Sequence, residues 1–157
     1  MPSTPILSIK DLCLNISGAK ILKKINWIIQ PGEHWAILGA NGGGKTSLLS
    51  ALTAYQSPSS GTLECLGETF GEADWIELRH KIGMVSSHLT RRVPADEPVI
   101  KTVLSGESAQ LGYWTREKTH NSAQALRCLS KMKVRKLADR DWGVLSQGER
   151  QKVFIAR

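Results

Sequence analysis

The eight residues 39–46 constrain the fold of this chain more than any other stretch. They read Gly-Ala-Asn-Gly-Gly-Gly-Lys-Thr and match G-x-x-x-x-G-K-[ST], the pattern of a phosphate-binding loop. A mostly apolar run of strand length, residues 34–38, precedes the loop, and residues 47–54 follow it with apolar residues at helical spacing. A glycine-rich turn without a ligand is the alternative. The order strand, loop, helix favours phosphate binding.

The predicted loop offers the groups that a nucleotide phosphate chain needs. Glycines remove side chains that would keep the phosphates away, and they allow positive φ. The new helix directs unpaired N–H groups and the positive end of its dipole at the same place. The predicted nucleotide contacts are Gly39, Ala40, Asn41, Gly42, Gly43, Gly44, Lys45, Thr46 and Ser47.

Three side chains in this loop have separate predicted roles. Lys45 is long enough to reach the β and γ phosphates, and it is the main candidate for stabilising charge during catalysis. The Thr46 hydroxyl is the predicted protein ligand of a Mg²⁺ ion, which accepts only a few protein oxygens. Ser47 is placed to contact the α phosphate.

Length and composition exclude several classes of protein. At 157 residues the chain is long enough for a core, and no apolar run approaches the roughly 20 residues that cross a bilayer. We expect neither an integral membrane protein nor a secretory signal. Cys13, Cys65 and Cys128 have no metal-type spacing and are read as reduced cytosolic thiols.

The net charge of +7 is unevenly distributed, because basic and acidic residues balance up to residue 90. Such asymmetry can indicate a nucleic-acid or anionic membrane surface. The basic run at residues 131–136 is more typical of a solvated helix face, and no aromatic residues are interleaved with it for base stacking. We do not expect a nucleic-acid partner.

The rest of the chain predicts an α/β protein that starts with β-strands. Hydrophobic alternation and turn residues indicate an early hairpin, and further short strands precede a helical part that begins near Pro94. The predicted strands are 6–16, 21–29, 62–66 and 82–85, and the predicted helices beyond the loop helix are 74–78, 99–104, 122–132 and 134–138.

The last stretch is the second informative one. Residues 145–149 read Leu-Ser-Gln-Gly-Glu, and Ser146 is a plausible N-cap for a helix that starts near Gln147. Together with the phosphate loop, this segment resembles the ATP-binding cassette (ABC) ATPases, whose signature is Leu-Ser-Gly-Gly-Gln. Gln147 and Glu149 depart from that signature.

The resemblance covers nearly the whole chain and implies a P-loop NTPase fold. It implies a RecA-like parallel sheet core with antiparallel β-strands at its start and a helical subdomain. Residues 1–90 would form the β entry and the phosphate-loop lobe, residues 91–145 the helical subdomain, and residues 146–157 the signature helix. It implies ATP and Mg²⁺ as cofactors. Because the signature of one subunit closes over ATP held by another, Ser146 and Gly148 would contact the γ phosphate in a head-to-tail dimer. A membrane permease is the further implied partner, and the implied location is the cytoplasm, with the inner face of the membrane as an open alternative.

Two positions depart from the family pattern. The family usually has an adenine-stacking aromatic where this chain has Ile16, so we expect weaker base discrimination, by about 1 kcal/mol. Ser87, followed by His88, takes the place of a Mg²⁺-sensing glutamine. Residues 85–87 and 103–106 resemble a bacterial subgroup that is similar to molybdate-type importer ATPases and to soluble, non-transporting cassettes.

The family's strand ending in Asp-Glu and its later histidine have no counterpart here. On this resemblance we expect the chain to be a fragment that lacks the C-terminal part of the core and is inactive alone in hydrolysis. Exposed apolar strand edges would make it marginally stable. The alternatives left open are a nucleotide binder without hydrolysis and a soluble, non-transporting cassette.

Overall fold

The computed structural model describes residues 4–109, 111 and 122–157. These residues form two compact units, Met1–Ile82 and Gly83–Arg157. Part of the predicted helical subdomain, residues 112–121, lies outside the described residues. In the described part, no helix combines the length and hydrophobicity required to span a bilayer.

The first unit is built on one antiparallel sheet of four strands in the order β2-β1-β3-β4. Its strands are β1 Leu7–Ile16, β2 Ala19–Ile29, β3 Ser60–Cys65 and β4 Glu68–Thr69. β1 lies between β2 and β3 and pairs with both. The predicted hairpin of residues 6–16 and 21–29 is confirmed, as is the third predicted strand.

The hydrophobic alternation of β1 explains why it is the central strand. Leu7, Ile9, Leu12 and Leu14 are at most 4% exposed and form the core of this unit. A register shift lies between Ile9 and Leu12. Because of it, Leu7 and Ile9 face inward and so do Leu12 and Leu14, although side chains in a regular strand alternate with a period of two.

A glycine allows β3 to approach this irregular part of β1. Gly61 has φ +92°, and a Cβ there would lie 2.6 Å from Leu12 Cα and would contact the carbonyl oxygen of Asp11. Any other residue would therefore meet backbone atoms, which cannot move aside as a flexible side chain can.

Two helices pack on the sheet within the first unit. α1, Lys45–Leu52, follows the phosphate loop and buries Leu48 and Leu52 in the same core. α2, Trp75–Arg79, adds Leu78 to it. Asp74 precedes α2, and its Oδ1 accepts a hydrogen bond of 3.4 Å from the Glu77 N–H in the first turn of that helix.

Residues 34–38 and 82–85 are not strands, so both of these predictions are wrong for this chain. All strand pairs in the described residues are antiparallel, and the predicted parallel sheet is not formed among them. A strand requires a hydrogen-bonded neighbour, and neither segment has one there. Leu38 is 90% and Trp35 56% exposed, whereas Ile37 and Ile82 are partly buried and pack against the core.

The second unit is helical. Its helices are α3 Ser87–Thr90, α4 Val99–Leu104, α5 Ser122–Lys131 and α6 Gln147–Ala156. The prediction for α4 is confirmed, and α5 ends one residue before its predicted end. Residues 134–138 form only a short 3-10 turn, Arg135–Leu137, because Lys133 takes φ +59° and ends the α-helical path.

The second unit has its own core, in which α4, α5 and α6 pack against one another. Trp142 is 2% exposed, lies 5.7 Å from the Phe154 ring between centroids, and donates its Nε1–H to the Thr90 carbonyl over 3.1 Å. This contact fixes the segment just before α6. The first turn of α6 is therefore held in place by a buried aromatic pair.

Candidate nucleotide-binding site

Gly44 of the phosphate loop is the N-cap of α1 and has φ +82°. A Cβ at this position would lie 3.0 Å from Leu22 Cδ2 and 3.3 Å from the Ile21 carbonyl oxygen. Glycine is required there for two reasons, the left-handed backbone and the close packing on β2. The start of β2 thereby positions the start of α1.

The N-terminus of α1 carries hydrogen-bond donors that the rest of the described chain does not use. Its N-cap offers no side-chain hydrogen bond, and its first turn has no acidic residue. Within the described ranges, no group accepts a hydrogen bond from the N–H of Lys45, Thr46 or Ser47. Such donors at the positive end of a helix form an anion-binding site.

Lys45 brings the positive charge of its side chain back over the loop. Its Nζ donates to the carbonyl oxygens of Gly39 and Ala40, each over 2.7 Å. The loop is tightened by a hydrogen bond of 3.1 Å from the Gly43 N–H to the Ala40 oxygen. The ammonium group is therefore positioned by the same loop that presents the N–H donors.

The loop and the first turn of α1 surround a pocket of about 290 Å³. Its lining residues are Ile21, Asn41, Gly42, Gly43, Gly44, Lys45, Thr46 and Ser47. Gly39 and Ala40 take part through the carbonyl oxygens that hold Lys45. Ile21 was not predicted as a site residue, and only its long-range packing on Gly44 identifies it.

Ile16, the predicted adenine contact, is the last residue of β1 and pairs with Ala19 across the turn. It is 36% exposed and does not line the pocket. Its contact with a base stays a prediction.

The donor set at Thr46 suits Mg²⁺ bound together with a nucleotide. Thr46 is exposed at the pocket, and among residues 4–109, 111 and 122–157 no three His, Cys, Asp or Glu side chains form a metal-binding group. Mg²⁺ usually keeps several waters and takes one or two protein oxygens plus phosphate oxygens. A single hydroxyl beside a phosphate pocket fits that requirement.

The predicted signature residues lie at the exposed start of α6. Ser146 and Glu149 form a capping box, in which Glu149 Oε2 accepts from the Ser146 N–H over 2.9 Å and from its hydroxyl over 2.8 Å. The Glu149 N–H donates back to Ser146 Oγ over 3.3 Å. Gly148 has open space where a Cβ would be.

Glu149 is held as a carboxylate by this arrangement. The hydrogen bonds from the Ser146 hydroxyl and the Ser146 N–H lower the pKa of Glu149, and the positive charges of Arg140 and Lys136 add a smaller effect in the same direction. The pattern S-x-x-E that signals a capping box was present in the sequence. The resemblance to the family signature identifies Glu149 only as a departure from it.

A second, polar pocket of about 210 Å³ lies beside the signature helix within the second unit. Ser87, which is predicted to take the place of the family glutamine, lines it together with Ser86. The Ser86 hydroxyl accepts a hydrogen bond of 3.2 Å from the His88 N–H. Gln147 and Gln151 of α6 line the same pocket. Neither glutamine was predicted there.

The sequence pattern of the ABC transporter family matches residues 22–157, which include the phosphate loop and the signature. The chain belongs to this family of ATP-binding domains.

Relatives within the ABC family agree with this assignment. The chain is 37% identical over 153 residues to the uncharacterized ABC transporter ATP-binding protein YlmA of Bacillus subtilis (strain 168), covering 97% of this chain and 58% of that protein. It is 31% identical to a probable metal transport system ATP-binding protein of Chlamydia trachomatis serovar D, covering 96% of this chain and 56% of that protein. The chain therefore spans little more than half the length of these relatives.

Solved structures confirm the predicted fold class. An ATP-binding cassette of an ABC transporter in its ADP conformation, MJ1267, superimposes with a TM-score of 0.71 at 22% identity, covering 99% of this chain and 64% of the other. CbiO1 from Clostridium perfringens, part of the CbiONQ transporter complex, superimposes with a TM-score of 0.68 at 28% identity. This match covers 97% of this chain and 60% of CbiO1. The predicted likeness to molybdate-type importers is not confirmed by these comparisons.

Proposed function

We propose that the chain is the ATP-binding part of an ABC transporter subunit and that it binds Mg-ATP through residues 39–47. The observation that carries this proposal is the set of N–H groups of Lys45, Thr46 and Ser47 at the start of α1. They donate to no acceptor in the described part of the chain, and they lie next to the Lys45 ammonium. Membership of the family supports ATP as the nucleotide.

The residues of the loop have distinct tasks in this proposal. The N–H groups of the first turn of α1 donate to phosphate oxygens, and Lys45 exchanges the carbonyl oxygens of Gly39 and Ala40 for the β and γ phosphates. Thr46 would coordinate Mg²⁺ through its hydroxyl oxygen. The bound ion would supply further positive charge to the phosphates. Catalysis by such a site depends on how the phosphates are positioned and on the positive charge around them. In this proposal the complete protein hydrolyses ATP.

The signature completes the site of another subunit. Ser146 and Gly148 would contact the γ phosphate of ATP held by the partner in a head-to-tail dimer. Both residues are exposed and lie at the N-terminus of a helix, where anions bind favourably. A second copy or a second ABC ATPase domain is the proposed partner.

The complete protein drives transport through a membrane permease and works in the cytoplasm at the inner face of the membrane. The relative in Chlamydia trachomatis has a name that refers to metal transport, and CbiO1 is part of a multi-subunit transporter. These relatives support a transport role.

Comparing the affinities of the chain for ATP and for adenosine tests whether the phosphates contribute most of the binding free energy. The chain is titrated with each ligand by isothermal titration calorimetry, with and without Mg²⁺. We expect ATP to bind at least about 100-fold more tightly than adenosine, because the charged hydrogen bonds are made by phosphates alone and each contributes roughly 1.5–3 kcal/mol. Equal affinities for the two ligands would contradict phosphate-led binding.

A further inference from the structure

The Ser146 donors, which are proposed to serve a γ phosphate, are already taken by a carboxylate of the same chain. Glu149 Oε2 lies 2.8 Å from Ser146 Oγ and 2.9 Å from Ser146 N. A serine hydroxyl has one proton to donate. While this proton is directed at Glu149, it is not available to a phosphate oxygen.

Other donors at the same helix start remain open. In the described part of the chain, no group accepts a hydrogen bond from the N–H of Gln147 or Gly148. The Glu149 N–H is used by Ser146 Oγ. Among the described residues, an anion at this helix start could accept from the N–H groups of Gln147 and Gly148, while the Ser146 hydroxyl already donates to Glu149.

The charge of Glu149 acts against the same anion. A carboxylate at the N-terminus of a helix neutralises part of the positive potential that draws anions there, and it repels a phosphate nearby. The positive charges of Arg140 and Lys136 attract this carboxylate. They compensate the repulsion in part but do not free the Ser146 hydroxyl.

We propose that Glu149 is a specificity-determining residue that weakens the affinity of the signature for phosphate by holding the Ser146 donors and by its negative charge. The γ phosphate of a partner's ATP must displace this carboxylate before Ser146 can bind it. The inference rests on the proposed function of the signature. It predicts that subunit closure over ATP is less favourable in this chain than in a variant with a neutral side chain at residue 149.

Glu149→Gln separates this role from simple helix capping. The glutamine amide oxygen can still accept from the Ser146 N–H, so the cap is kept while the charge is removed. Glu68→Gln is the matched control, since Glu68 is an exposed carboxylate on β4 that does not line the phosphate pocket. Thermal unfolding and the amide spectrum establish that both variants keep the fold.

The test is a titration with inorganic phosphate, at constant ionic strength and pH 7.5, followed by the backbone amide NMR signals of Gln147 and Gly148. We expect these signals to reach half-saturation at roughly two- to fivefold lower phosphate in Glu149→Gln than in the unmodified chain, the range that one removed charge at a helix terminus typically produces. Glu68→Gln should behave as the unmodified chain. The same midpoint in Glu149→Gln, or no response in any of the proteins, would overturn the inference.

The same samples distinguish this inference from the proposed function. ATP with Mg²⁺ is added in a second titration, and the amide signals of Lys45, Thr46 and Ser47 are followed. A response there supports nucleotide binding at the phosphate loop, whatever happens at the signature. A silent phosphate loop would contradict the proposed function, while unequal phosphate midpoints at the signature would still support the role of Glu149.

Discussion

The Lys45 ammonium lies 2.7 Å from the carbonyl oxygen of Gly39, at the opposite end of the phosphate loop. A second hydrogen bond of 2.7 Å joins it to Ala40. The lysine thus bridges the loop and keeps its charge beside the N–H groups at the start of α1, which have no acceptor among the described residues. Binding of a phosphate chain then requires an exchange of acceptors and no large movement of the side chain.

Replacing Gly61 by alanine should destabilise the first unit strongly. The new methyl group would meet the backbone of Asp11 and Leu12, and φ +92° is unfavourable for alanine, so we expect a loss of about 2–4 kcal/mol in the free energy of unfolding. Urea denaturation followed by circular dichroism measures it. Gly67→Ala, with φ +82° but nothing within 4 Å of the new Cβ, should lose only about 1–2 kcal/mol. Equal losses in the two variants would show that the close approach is not important.

Trp142→Phe should destabilise the second unit. The phenyl ring retains the apolar contact with Phe154 but leaves the Thr90 carbonyl without its indole donor, which we expect to cost about 1–3 kcal/mol. Trp35→Phe is the control, because Trp35 is 56% exposed and its partner Glu33 can bond to water. Chemical denaturation of both variants tests this, and a more damaging Trp35 substitution would contradict it.

The contribution of Glu149 to stability should depend on pH. Its pKa in the folded chain is lowered by the Ser146 hydrogen bonds, so its stabilising effect is fully present near pH 7. It is lost as the pH falls below the ordinary glutamate pKa of 4.5 and through the folded value. We expect the difference in Tm between the unmodified chain and Glu149→Ala to be largest at pH 7 and to shrink below about pH 4. A difference that grows in acid would mean that the carboxylate destabilises the fold.

The chain as a whole should unfold at a moderate temperature. Leu38 is 90% and Val85 45% exposed, and segments of this kind add little apolar burial while inviting association. We expect a Tm below about 60 °C in a scan followed by circular dichroism at low protein concentration. A cooperative transition above that temperature would contradict the expected marginal stability.

Local patterns predicted much of the fold. The alternation in β1 and β2, the glycines before α1 and the serine before α6 each act within a few residues, and these elements form where the sequence placed them. The loop motif likewise identified residues 41–47, which line the pocket together with Ile21. These features depend on short-range backbone and capping preferences.

Features that depend on distant residues could not be predicted in the same way. Residues 34–38 have strand-like composition but no hydrogen-bonded neighbour in the described chain. Ile21 enters the pocket because β2 packs against Gly44, a contact without any sequence pattern. Glu149 is different, because the S-x-x-E pattern of a capping box is present in the sequence and would have predicted its contact with Ser146.

Calorimetric titration with Mg-ATP of the unmodified chain, Lys45→Ala and Lys81→Ala tests the central claim most directly. Lys81 is an exposed lysine of the same unit that does not line the pocket, so its replacement matches the change in charge. We expect Lys45→Ala to bind Mg-ATP about 10- to 100-fold more weakly than the other two proteins, because a charge-assisted contact with the phosphates is lost. An affinity unchanged by Lys45→Ala would show that the nucleotide, if it binds, does not use this loop.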